Sequence, residues 1–218
     1  MSAARRSLAV CVLLAIGLVL ESILVASGQA HIADARTAFM VSHLWVPALH
    51  PLFQGIALLG GTEVTGLVVV VLLIVLWRRR LRRECWALLA FPIAILVEVL
   101  YKHFVSQPPP IELAHADGPS LTMLLQHAAP TVAASSFPSG HVVRAVVAYG
   151  LVAFVVHRLA APGRWQRLAV PGALVLVLLI AFDRLYLGVH WQSDVLGGLL
   201  LGGLALAAAI VWLDWGAR

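Results

Sequence analysis

The chain has 218 residues, 61% of them hydrophobic and only 11% charged. So few polar side chains cannot cover a water-soluble globule, and the composition points to an all-α, polytopic membrane protein. The net charge of +5 comes largely from arginines clustered between apolar stretches, a mark of membrane topology that gives no reason to assign a nucleic-acid partner.

Apolar stretches close to the ~20 residues needed to span a bilayer occur at 8–27, 52–76, 85–105, 142–160, 168–187 and 191–213. They predict a six-transmembrane-helix bundle forming one integral membrane domain over residues 1–218. Arg5 and Arg6 precede the first stretch, and the small residues of Val25 to Ala30 follow it, a pattern shared by a cleaved signal peptide and a retained helix. A retained helix is the expectation. Arg78, Arg79, Arg80, Arg82 and Arg83 crowd the turn between the second and third spans, and Arg158, Arg164 and Arg167 mark the turn between the fourth and fifth. Short cytoplasmic loops collect basic residues. Both termini are therefore placed in the cytoplasm, the protein in the plasma (inner) membrane, and segments 28–51, 106–141 and 184–190 on the outward face.

Glu21 and Glu63 lie near span ends and read as ordinary interfacial acids, whereas Glu98, one turn before Lys102, is expected to pair with it. Cys11 and Cys85 fall in or beside spans rather than in an outward loop, so no disulfide is expected. Nine histidines show no His-x3-His or His/Cys spacing, and no metal or other cofactor is expected. His31, His43, His50, His115, His127 and His157 read as interfacial or loop residues. The outward segment from 106 to 137 carries Pro108-Pro109-Pro110 and Pro119, then an apolar run from Leu121 to Leu125. Ser120 can cap that run as a short interfacial helix, the alternative being simple loop packing. In the last span Gly198 and Gly202 form a small-xxx-small pattern suited to close helix packing.

The chemistry is concentrated in two places. Phe137-Pro138-Ser139-Gly140-His141 leads into the fourth span, where a helix start offers backbone N–H groups and a favourable dipole to an anion; an ordinary helix entry with a capping serine is the plainer reading. Downstream, Arg184, His190 and Asp194 follow one another at spacings that put the last two on one helical face. A carboxylate there can accept one imidazole N–H and leave the other nitrogen free to attack phosphorus, while an arginine can hold phosphoryl oxygens bidentately. A structural ion pair of Arg184 with Asp183 or Asp194 is the alternative. That both clusters reach the same predicted face is what a shared active site requires.

These residues resemble the type 2 phosphatidic acid phosphatases, the membrane branch of a superfamily that also contains soluble vanadium haloperoxidases, and the resemblance covers nearly the whole chain. The family's signatures are Lys-x6-Arg-Pro, Pro-Ser-Gly-His and Ser-Arg-x5-His-x3-Asp. The second is intact at Pro138 to His141, and the third is kept at Arg184, His190 and Asp194. The resemblance implies that His190 is the nucleophile of a phosphohistidine intermediate, Asp194 its orienting partner, and His141 the acid at the leaving oxygen. Ser139, Gly140, Lys102 and Arg184 would hold the phosphate. The substrate would be a lipid phosphate or diphosphate drawn from the membrane lipids, with undecaprenyl diphosphate favoured and phosphatidate or phosphatidylglycerol phosphate as alternatives. Haloperoxidase chemistry is disfavoured by the membrane-embedded composition.

Two positions depart from the pattern. Pro109 stands where the first signature has arginine, and Asp183 stands where the third has serine. Losing one charge-assisted phosphate contact costs ~1.5–3 kcal/mol, one to two decades in rate if felt in the transition state. Arg144, three residues after His141, is a candidate replacement that either contacts substrate phosphate or pairs with Asp183. A lipid-binding protein that has lost its chemistry is the reading from another class.

Overall fold

The computed structural model describes residues 3–110 and 135–215, so Ser120 and the Leu121–Leu125 run lie outside the described residues. Among these, every regular element is helical. The helices are α1 (Ala3–Ala26), α2 (His31–Ser42), α3 (His50–Gly60), α4 (Thr62–Arg78), α5 (Arg82–Ala87), α6 (Ala90–Phe104), α7 (Gly140–Leu159), α8 (Arg164–Tyr186) and α9 (Gln192–Trp215). Five stretches are long and apolar enough to cross a membrane: α1, the joined α5 and α6, α7, α8 and α9. The α3–α4 pair makes a sixth if its two parts are counted as one crossing.

That pair corrects the uninterrupted 52–76 span expected from the sequence. It is bent by 43° at Gly60–Gly61, where Gly61 takes extended backbone (φ −65°, ψ 159°). A Cβ on Gly60 would lie 2.8 Å from Ile180 and 3.2 Å from the Cβ of His141, so only glycine lets α7 and α8 come this close. Segment 28–51 likewise holds more structure than a connecting loop, with α2 and a short 3-10 turn at Pro47–Leu49.

The centre of the bundle is α7, which packs against α3, α4, α6, α8 and α9, while α1 lies along α9. Over half of the apolar window of α7 (56%) is buried inside the protein, against 11% for α1, so α1 presents most of its leucines, valines and isoleucines outward. The Gly198/Gly202 pattern does what small-xxx-small patterns do. A Cβ on Gly198 would meet the Ser139 carbonyl oxygen at 2.8 Å, and one on Gly202 would meet the Val143 carbonyl oxygen at 3.0 Å, so α9 rests directly on the backbone that begins α7. The arginines of the α4–α5 turn sit at one end of the bundle. The C-terminus of α6 and the N-termini of α7 and α9 gather at the other.

Candidate active site

At that second end, the residue before α7 joins the two motifs through main chain alone. The Ser139 N–H donates to the Asp194 carbonyl at 2.9 Å. This corrects part of the sequence reading, because the Ser139 N–H is engaged here and is not offered to an anion. Nor does its side chain cap α7. The hydroxyl is fully buried and has no hydrogen-bond partner among the described residues, so what Ser139 can offer a ligand is Oγ. Gly140 is needed for packing as well. A Cβ there would lie 2.1 Å from Glu98 Oε1 and 2.7 Å from Arg144 Nη1.

His190 and Asp194 meet as their i, i+4 spacing predicts. His190 Nδ1 lies 3.2 Å from Asp194 Oδ2, and the same oxygen accepts the Trp191 N–H at 2.8 Å, which fixes the carboxylate against the start of α9. Asp194 is wholly buried, and the His190 side chain is 12% exposed. An imidazole held this way by Nδ1 has Nε2 as its remaining reactive nitrogen.

Three cations surround these histidines, and each already has a carboxylate. Lys102 Nζ lies 3.1 Å from Glu98 Oε1, the pairing expected from the sequence. The other oxygen of Glu98 takes Arg144 Nη1 at 3.2 Å, so one buried acid bridges α6 to α7. Arg144 thus pairs with Glu98, where the sequence reading set it against either substrate phosphate or Asp183, and it also donates to the Gly60 carbonyl and to His141 Nδ1, each at 3.4 Å. Arg184 is fully buried and directs Nε and Nη2 to Asp183 Oδ2 at 2.9 and 2.5 Å. The ion pair given by the sequence as the structural alternative for Arg184 is therefore present, on the very residue that departs from the family pattern. The Arg144–His141 contact and the Ser139-to-Asp194 main-chain bond draw the separated motifs into one site.

A further acid stands at this end, unmarked in the sequence pattern. Asp34 of α2 is buried; its Oδ1 accepts the Ser193 N–H at 2.8 Å and its Oδ2 the Ser193 hydroxyl at 2.7 Å. Gln107 Nε2 donates to both Asp34 (3.2 Å) and Ser193 (3.0 Å). A backbone donor in the first turn of α9 is thus satisfied from another helix, and Thr37 reaches Gln192 beside it. The chain after Lys102 is tied in by the Trp191 indole, which donates to the Pro108 carbonyl at 2.7 Å. Burial pushes the Asp34 carboxyl up from its ordinary range, with the bonds from Ser193 pulling it partly back. Asp34→Ala strands the Ser193 donors at a cost of about 1–3 kcal/mol, and Asp34→Asn, which keeps one acceptor but turns an amide donor toward the Ser193 or Gln107 donors, is expected to cost less. Thermal melting and phosphate-release rates of the two variants, side by side, check this.

Among the described residues no group of three or more histidines, cysteines or acids is arranged to hold a metal ion.

Comparison with known proteins identifies the family and the fold. The PAP2 superfamily model matches residues 83–218. A protein of Escherichia coli (strain K12), provisionally named undecaprenyl-diphosphatase YbjG, is 33% identical over 152 residues, covering 68% of this chain and 69% of the relative. The undecaprenyl-diphosphatase of Sulfolobus acidocaldarius is 30% identical over 142 residues, 65% of this chain and 60% of its own length. Phosphatidylglycerophosphatase B of Bacillus subtilis is 41% identical over a shorter stretch of 68 residues, 31% of this chain and 34% of the relative. In fold, the chain matches the crystal structure of a transmembrane PAP2 type phosphatidylglycerolphosphate phosphatase from Bacillus subtilis with a TM-score of 0.81, at 23% identity and over 95% and 98% of the two chains. The chain belongs to the PAP2 superfamily and is a multi-span membrane lipid phosphatase of that type.

Proposed function

We propose that the enzyme hydrolyses a lipid diphosphate on the extracytoplasmic face of the plasma membrane, with undecaprenyl diphosphate as the favoured substrate. The observation that carries the reading is the His190–Asp194 pair, joined by the Ser139-to-Asp194 main-chain bond to the helix that bears His141. His190 Nε2 attacks the terminal phosphorus while Asp194 steadies the ring and stabilises the charge it gains. Lys102, Arg184 and the Ser139 hydroxyl face the phosphoryl oxygens together with the backbone at Gly140, and His141 faces the leaving oxygen. Water then releases phosphate from the histidine. The outward orientation follows from the arginines of the α4–α5 turn, at the opposite end of the bundle from the site, with both termini cytoplasmic.

The names of the Escherichia coli and Sulfolobus relatives support the diphosphate. The Bacillus relative's name supports phosphatidylglycerol phosphate, with phosphatidate close to it in chemistry. A site that only binds lipid phosphate is favoured by one observation, the engagement of Arg184 by Asp183 beside the missing arginine at Pro109. Purified protein in detergent with EDTA, offered undecaprenyl diphosphate and phosphatidate separately, is expected to release phosphate fastest from the diphosphate and to carry an acid-labile phosphoryl group after rapid quenching. Folded protein that turns over neither lipid, and traps no phosphoryl group, overturns the reading in favour of binding alone.

A further inference from the structure

The two site histidines have opposite neighbours. His190 Nδ1 faces the Asp194 carboxylate at 3.2 Å, whereas His141 Nδ1 faces Arg144 Nη2 at 3.4 Å. A guanidinium has donors only, so His141 Nδ1 accepts that bond and its ring proton resides on Nε2. A second ring proton would remove the acceptor and set an imidazolium against Arg144. Arg144 cannot easily turn away. It is buried and held by Glu98 and by the Gly60 carbonyl, and the absence of a side chain at Gly140 is what gives this pair its room.

We propose that Arg144 is a positioning and specificity residue: by fixing His141 in the Nε2–H form, it makes that ring a hydrogen-bond donor to the leaving oxygen, fitting the site to phosphoanhydrides over phosphate monoesters. The inference rests on the phosphohistidine reading above. In the anhydride, the lone pair of His190 Nε2 forms the N–P bond as the bond from phosphorus to the bridging oxygen breaks. The electron pair stays on that oxygen, which departs as a lipid monophosphate. Such a group has a second pKa of about 6, so it leaves without taking a proton. Water then attacks phosphorus, the N–P pair returns to His190, and both water protons depart with inorganic phosphate. In a lipid monophosphate the bond to break leads to an alkoxide, about as basic as hydroxide. That departure needs a whole proton, which a neutral His141 gives up only by becoming an anion.

The test compares undecaprenyl diphosphate with undecaprenyl monophosphate, which share one tail and differ in the bond cleaved. Proton delivery by a general acid is worth about 10²–10⁴-fold, so wild-type kcat is expected to favour the diphosphate by at least about a hundredfold. Arg144→Gln frees His141 to take a second proton. That variant is expected to narrow the ratio by about tenfold or more, acting on kcat with KM little changed. A ratio that stays the same because both substrates slow together shows a packing role and overturns the inference. If Arg144→Gln does not fold, wild type still decides: comparable kcat on the two lipids overturns it. A His190→Ala control separates the two levels, since release that persists in it refutes the phosphohistidine reading and not the role of Arg144 alone.

Discussion

Phosphate release is expected to fall by at least about 10⁴-fold in His190→Ala, with no loss of helical content or change in elution volume. The size follows from what is removed. His190 is placed to form the covalent bond to phosphorus, and the surrounding cations and dipoles can only assist an attack they cannot themselves make. The fold should survive because the ring projects from the turn between α8 and α9, partly exposed, and its hydrogen bond among the described residues is to Asp194. Asp194 meanwhile keeps the Trp191 N–H. Single-turnover phosphate release, paired with radiolabel trapping on the protein, measures both consequences. A variant that retains a tenth of the wild-type rate, or still traps label, means that another group attacks phosphorus.

The largest effect on stability is expected at Glu98. This carboxylate is almost completely buried and holds Lys102 at 3.1 Å and Arg144 at 3.2 Å, so Glu98→Ala leaves two sheltered cations with no counter-charge. Breaking a buried pair by removing one partner costs about 3–5 kcal/mol, here felt as a lower thermal midpoint in detergent and a smaller yield of monodisperse protein. Because the damage lies in the stranded charge, adding Arg144→Met to Glu98→Ala should restore part of it, with a coupling above about 1 kcal/mol. Melting curves of the two single variants and the double variant provide the cycle. If Glu98→Ala melts with wild type, the acid does not carry the charge of this end of the bundle.

The site was legible where function is encoded by short spacings. Pro138 to His141 and the Arg184, His190, Asp194 series each occupy a few turns of chain, and charge placement was enough to bring them to one face. The Glu98–Lys102 pair was legible for the same reason, being one helical turn. What sequence could not supply was the partner across an interface. Arg144 was correctly placed on the face of His141, but the neighbour it meets depends on how α6 packs on α7, and that brought Glu98 in place of Asp183. Asp34 was hidden more thoroughly. It lies 159 positions from Ser193, in a segment whose mixed composition reads as a connection, and no periodicity marks a residue whose role is to accept another helix's N–H. Gly60–Gly61 looked like an unremarkable glycine pair in an apolar run, because the groups that leave no room for a side chain at Gly60 belong to α7 and α8.

The bond from the Ser139 N–H to the Asp194 carbonyl has a consequence for how such a protein changes over time. It is made by two peptide groups, so no substitution of a side chain, short of proline at position 139, deletes either partner. Mutations can therefore strip the histidines of their chemistry, or retune the cations around them, while the two helix starts stay in register. The placement of the two helix starts is inherited separately from the reactivity of the side chains they carry, and a descendant that no longer cleaves its lipid would still hold the two motifs side by side.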